Sequence, residues 1–362
     1  ALFNATVLDL MRGHFLANLN VDGTGAVIAS RGEVPALDDV CGDGCPGGYR
    51  FHWMRDGALS MLALHRLAAS PLAGAALDAA AVVATFRAYA GWVGRAQAVL
   101  TLRKEDPAAQ PKWNISTGEP YAHDWCKPQS DGPGLEAQAL VAYASTVSDQ
   151  RELDHIWALV RFNLDWLAKP GSSKESTCDL WEETTGTDFF WNRVASLSGL
   201  LAGAGLARRL GDTGRAATYL ARAEALGNPV AEHLQAAGNS SCFITECPTR
   251  EAGPDCRAKN KSIDGAVILA LAHGWMQASG NWSPVILPTS VLVAQTVESY
   301  NELFCSLYPV NQADTKAGVP GVLYGRYARD AYGGNPWPLI TAALAALLYR
   351  AARAAAAGPP LL

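Results

Sequence analysis

Long apolar runs, charge and metal-ligand spacings are all scarce in this chain, and each scarcity removes a class of function. No stretch of about 18 uninterrupted apolar residues occurs, so a membrane span is not expected. The apolar run Leu339 to Leu348 is too short for one. Only 17% of the 362 residues are charged and the formal net charge is −5, so no electrostatic surface for nucleic acid is expected. The eight cysteines include no paired Cys-x-x-Cys, and no His-x3-His accompanies them. A bound metal is therefore not expected, and nothing calls for another cofactor.

What is present points to a secreted helical protein. Hydrophobic residues make up 49% of the chain and alanine is abundant, a balance that suits a large core of helices. The cysteines are even in number, with Cys41 near Cys45 and Cys242 near Cys247. Five Asn-x-Ser/Thr sequons stand at Asn4, Asn114, Asn239, Asn260 and Asn281. Together these favour disulfides, glycosylation and the secretory pathway, either secreted or in its lumen. The start at Ala1 fits a processed mature end.

Apolar spacing and breakers predict helices over 3–19, 56–69, 75–103, 133–147, 150–168, 187–210, 212–226, 264–276, 288–307 and 337–356. One short strand is expected at Ala26 to Ser30, after a Gly-rich turn. No shift in composition divides the chain, so a single domain is expected over 1–350, followed by a frayed tail over 351–362.

The segment Asp179-Leu180-Trp181-Glu182-Glu183 carries the most chemistry. It places two adjacent carboxylates beside a tryptophan and before an aromatic pair, Phe189-Phe190. Apolar shielding and a neighbouring negative charge both raise a carboxyl pKa, as the proton donor of glycoside hydrolysis requires. Taken alone, the segment is equally an acidic turn ahead of a helix. Arg55-Asp56 likewise reads as a helix start with an ion pair, Trp53 and Trp125 as core residues, and Arg326 as a partner of Asp330. His52 and His123 read as structural, since neither has a serine or cysteine partner.

Five segments in order resemble the glucoamylase family. They are Gly25 to Ser30, Tyr49 to Asp56 ending in Trp-x-Arg-Asp, and Trp125-Cys126-Lys127-Pro128-Gln129-Ser130-Asp131-Gly132-Pro133. The acid segment follows, and then Gly325-Arg326-Tyr327 with Gly334-Asn335-Pro336-Trp337. The resemblance implies an all-α (α/α)6 toroid, and an inverting exo-hydrolase acting on α-1,4-glucan or another neutral oligosaccharide. It gives Glu182 the role of general acid and Glu183 that of a carboxylate bonded to a sugar hydroxyl. It makes Arg55 and Asp56 a clamp on the terminal glucose, and Arg326 a contact to a sugar hydroxyl. Tyr49, Trp53, Trp125 and Trp181 are implied as substrate-binding aromatics.

The resemblance covers about three-quarters of the family's catalytic domain, so the toroid is expected to be incomplete at its C-terminal end. The water-activating carboxylate of an inverting enzyme has no counterpart: the 25 residues after Trp337 include no Asp or Glu. Three expectations follow. The base lies on polypeptide beyond Leu362, or Asp264, Glu298 or Asp330 replaces it, or the protein binds or organises glycan without cutting it.

Overall fold

The structure is a computed structural model that describes residues 4–30, 49–70, 77–172, 176–227, 232–237, 241–248, 263–278, 281–330 and 335–357. The chain divides into two compact units. The first comprises Ala1–Lys169 with Ala202–Tyr219, and the second Pro170–Leu201 with Leu220–Leu362. Cys41, Cys45, Cys256, Asn239, Asn260 and Gly334 lie outside the described residues.

The first unit holds α1 (Ala5–Ala17), β1 (Phe51–Trp53), α2 (Met54–Ala68), α3 (Ala79–Arg103), β2 (Lys112–Asn114), α4 (Asp131–Ala144) and α5 (Gln150–Leu167). Every residue of α4 is buried, as expected of a helix built from Gly, Ala and Leu on all sides. It packs against α2 and α5. α5 is amphipathic instead: Leu153, Ile156, Trp157, Val160 and Leu164 form its buried stripe, at helical spacing. Its first turn is capped by Asp149, which accepts from the Glu152 N–H at 2.9 Å. The early β segment forms at Phe51–Trp53, which pairs antiparallel with Lys112–Asn114. Residues 26–30, where a strand was expected, form no ladder. There Ile28 donates to the Asn18 carbonyl, and the Val27 N–H donates to the His52 ring at 3.1 Å.

The second unit begins with a two-residue pairing of β3 (Thr177–Cys178) and β4 (Thr185–Gly186). There follow α6 (Phe190–Arg209) and α7 (Thr213–Gly227), each shared in sequence with the first unit. Next come β5 (Leu234–Ala237) paired with β6 (Ser241–Ile244), α8 (Gly265–His273), and β7 (Trp275–Ala278) paired with β8 (Asn281–Pro284). The last are α9 (Val291–Leu307), α10 (Pro309–Ala317) and α11 (Pro338–Ala357). α10 was not foreseen, although its proline at the first helical position and Gly318 at φ 72° beyond its end are ordinary start and stop signals.

α8 is buried from Gly265 to Ala272 and packs against α11, whose buried residues are Ile340, Ala343, Leu344 and Leu347. By length and composition α11 is apolar enough to cross a membrane, with 22% of that stretch buried, which is weak evidence for a span. Residues 351–357 continue this helix.

Cys126, Cys178 and Cys247 are disulfide-bonded, whereas Cys242 and Cys305 are free thiols. The neighbours Cys242 and Cys247 are therefore not bonded to each other.

Candidate active site

In the second unit, Asp179 shapes the acid turn. Its Oδ1 accepts from the backbone N–H groups of Glu183 and Thr184 at 2.9 and 3.0 Å, and its carbonyl accepts from the Glu182 N–H. A side chain that bonds its own following backbone closes the loop between β3 and β4. The turn forces Glu182 to φ 60°, the left-handed region that costs a non-glycine residue energy and collects at functional sites. Glu182 and Glu183 are both half-buried.

Glu183 is held from both sides. Its Oε1 accepts from Arg326 Nη1 at 2.7 Å and its Oε2 from the Tyr327 hydroxyl at 2.5 Å. Arg326 also donates through Nε and Nη2 to Asp330, so one guanidinium serves two carboxylates. It lies against the rings of Trp181, Tyr327 and Trp337, 4.8–5.3 Å from their centroids. Burial opposes the Arg326 charge, but the bonds to Asp330 and Glu183 outweigh it and push its pKa upward. Burial, with the bond to Glu183, likewise pushes Tyr327 upward. A carboxylate bonded to a guanidinium and a phenol is held in its ionised form.

Trp181 stands at 5.9 Å from Trp337, ring to ring, and its indole N–H donates to Asp264 Oδ1 at 2.8 Å. Of the carboxylates considered as replacement bases, Asp264 caps α8, Asp330 holds Arg326, and Glu298 is an exposed residue of α9.

In the first unit, Arg55 is not the surface residue of a plain helix start. It is 8% exposed and donates to Asp131 Oδ2 at 2.5 Å and to Gln129 Oε1 at 2.6 Å. The Trp-x-Arg-Asp segment is thus bonded to the Pro-Gln-x-Asp-Gly-Pro loop across 74–76 residues. Asp56, next in the same turn of α2, is half-buried.

The aromatic residues gather around a lysine that the sequence reading did not single out. Lys112 is 1% exposed, and its Nζ lies 4.5, 4.6, 3.9 and 3.8 Å from the ring centroids of Phe51, Trp53, Tyr121 and Trp125. All four distances are inside cation–π range. The rings also meet one another edge to face, Trp53 with Trp125 at 5.9 Å and Tyr121 with Trp125 at 5.7 Å. Tyr49 is 55% exposed and reaches Trp53 at 6.4 Å. His52 is structural, as its lack of a nucleophile partner suggested: burial pushes its imidazole down to about 4, against a bond with Val27. His123 is exposed beside Tyr121.

Glycoside hydrolysis uses carboxyl groups held in unlike environments, and the turn between β3 and β4 carries two adjacent ones within a mostly helical frame. The comparisons agree. A profile described as Glycosyl hydrolases family 15 matches residues 16–358. A glucoamylase of Schizophyllum commune is 30% identical over 67% of this chain and 39% of its own length. One of Arthroderma benhamiae is 27% identical over 96% of this chain and 53% of its own. Among solved structures, a glucoamylase from Saccharomycopsis fibuligera superposes with a TM-score of 0.75 at 22% identity, covering 97% of this chain and 74% of that one. The chain belongs to the glycosyl hydrolases family 15 and has its helical (α/α)6 fold. It spans about half, or less, of the length of these curated relatives.

Proposed function

We propose that this chain carries the substrate-binding body and general acid of an exo-acting glycoside hydrolase, which releases β-glucose from non-reducing ends of α-1,4-glucans with inversion. The observation that carries the reading is the network that holds Glu183, next in the chain to Glu182. Glu183 accepts from Arg326 and Tyr327 on its two oxygens, which commits it to the ionised form, suited to accept from a sugar hydroxyl. Glu182, the preceding residue on a left-handed backbone, takes the general-acid role that its motif position implies. Family membership and the glucoamylase relatives support the substrate class.

In this reading the proton of Glu182 passes to the glycosidic oxygen as the C1–O bond breaks, and water adds to C1 from the opposite face. The proton lost by that water goes to a second carboxylate, a role assigned to no described residue. Arg55 with Asp56, and the rings of Tyr49, Trp53, Trp125 and Trp181, are assigned to sugar binding, since aromatic faces cover the C–H faces of a pyranose. Arg326 contributes through Glu183 and through its own contact to a hydroxyl.

We also read the protein as secretory, on its disulfide-bonded cysteines. Of the sequons, Asn4 is exposed at the cap of α1, and Asn114 Oδ1 accepts from Ser116 and Thr117. Asn281 lies in β8, its side chain outside the described residues.

The test is Glu182→Gln assayed on maltose. We expect turnover to fall by about a thousandfold or more while maltose binding, followed by calorimetry, stays within a few-fold. Unchanged turnover rejects Glu182 as the acid. Binding without release by the parent chain would instead favour a glycan-binding protein.

A further inference from the structure

Asp264, weighed above as a substitute base, has a different position. It is fully buried at the cap of α8, and three segments meet on it. Its Oδ1 accepts from the Trp181 indole at 2.8 Å and from the Ala266 backbone N–H at 2.8 Å. Its own N–H donates to the Tyr300 hydroxyl at 3.2 Å, and it forms an antiparallel bridge with Tyr327. The next N–H, of Gly265, donates to the Arg326 carbonyl at 2.6 Å. A Cβ at position 265 would stand 2.8 Å from the Gly325 oxygen, so this approach requires glycine.

Residues 264 and 265 therefore hold the backbone of the segment that grips Glu183, while one side-chain oxygen holds the ring preceding Glu182. Capping alone does not need an aspartate, since a serine at this position satisfies a first-turn N–H equally well. The bond to the indole is what the longer carboxylate adds, and a charged acceptor makes it stronger than a neutral one.

We propose that Asp264 is a positioning residue: it fixes the Trp181 ring, and with it the left-handed backbone at Glu182, in register with the Arg326–Glu183 network. This rests on the reading of Glu182 as the acid.

The variants Asp264→Ser, Asp264→Asn and Trp181→Phe separate the roles. Serine keeps the cap but is too short to reach the indole, asparagine keeps one oxygen able to accept from both N–H groups, and phenylalanine removes the donor alone. The Trp181 indole signal is assigned in nitrogen-15 spectra by its loss in Trp181→Phe. In Asp264→Ser we expect its exchange with water to quicken about tenfold. On maltose we expect kcat to fall about tenfold or more, with KM nearly constant. Asp264→Asn should restore most of the protection and of kcat. The double variant Asp264→Ser/Trp181→Phe should be no worse than the poorer single one, as coupled residues are non-additive.

Unchanged indole exchange in Asp264→Ser, or losses that multiply in the double variant, would overturn the proposal. If the parent chain turns over no maltose, the indole exchange rates alone decide whether Asp264 fixes Trp181, and they do so independently of the acid reading.

Discussion

In the first unit the Lys112 ammonium lies among four ring faces, whereas in the second the Arg326 guanidinium is bonded to two carboxylates and flanked by three rings. Both cations are almost fully buried, but ring faces and carboxylates hold a cation in different ways. Ring faces attract an ammonium without fixing its orientation, at about 2 kcal/mol when desolvated. Carboxylates fix a guanidinium through paired, planar bonds, and each leaves an uncompensated charge if the cation is removed. The first arrangement orders rings around a charge; the second keeps two carboxylates ionised. A buried ionisable group sharpens the contrast. Glu136 on α4 has amides as its hydrogen-bond partners, its Oε2 accepting from Asn163 at 2.8 Å and Gln97 at 3.3 Å.

The largest effect is expected at Arg326. Arg326→Met leaves Glu183 and Asp330 without their shared cation, and we expect a stability loss of about 3–5 kcal/mol in urea unfolding. A loss below about 1 kcal/mol would mean the network is no stronger than a surface ion pair.

Glu136 comes next. Burial pushes its carboxyl up to about 7 from 4.5, against the bonds from Asn163 and Gln97. A raised folded-state pKa means a stabilising contribution that is complete below the unfolded value and lost as pH rises through the folded one. Stability should therefore decline between pH 4.5 and 7 by roughly 3 kcal/mol from this group. Glu136→Gln, which cannot ionise, should remove that decline, so the variant gains on the parent as pH rises. Parallel stability curves for the two would show that the carboxylate stays charged in the fold.

Lys112→Met should cost least, about 2 kcal/mol, because the rings keep their mutual edge-to-face contacts. The more telling readout is the Trp125 indole signal. Tyr121 and Trp53 are tied to residue 112 by the backbone, while Trp125 stands on a loop. We expect its line to broaden in the variant while the Trp53 line stays sharp. Equal broadening of both would mean that the cation, rather than the strand pairing, holds Trp53.

Much of the frame was legible because helices announce themselves locally. The stripe of α5 and the cap at Asp149 can be read from neighbouring residues. The strands could not be read, since a three-residue pair such as Phe51–Trp53 with Lys112–Asn114 is too short to show alternation. At the site, the acid turn and the motif segments stood out by residue type, and the structure bonds Arg55 to Asp131 from two of them. Lys112 and Asp264 were missed in their roles for one reason. What each does depends on partners far away in sequence, 83 residues in the case of Trp181 and Asp264. Nothing within a few residues of either signals the contact. The one cue near Asp264 was its place just before an apolar helix, which suggests a cap and nothing more.

The most direct measurement is proton NMR of maltoheptaose incubated with the purified protein, following the anomeric signals from the first minutes. The account predicts that β-glucose appears first and mutarotates to the α-anomer, with maltohexaose accumulating beside it. Glucose released first as the α-anomer, or internal cleavage without free glucose, would contradict it.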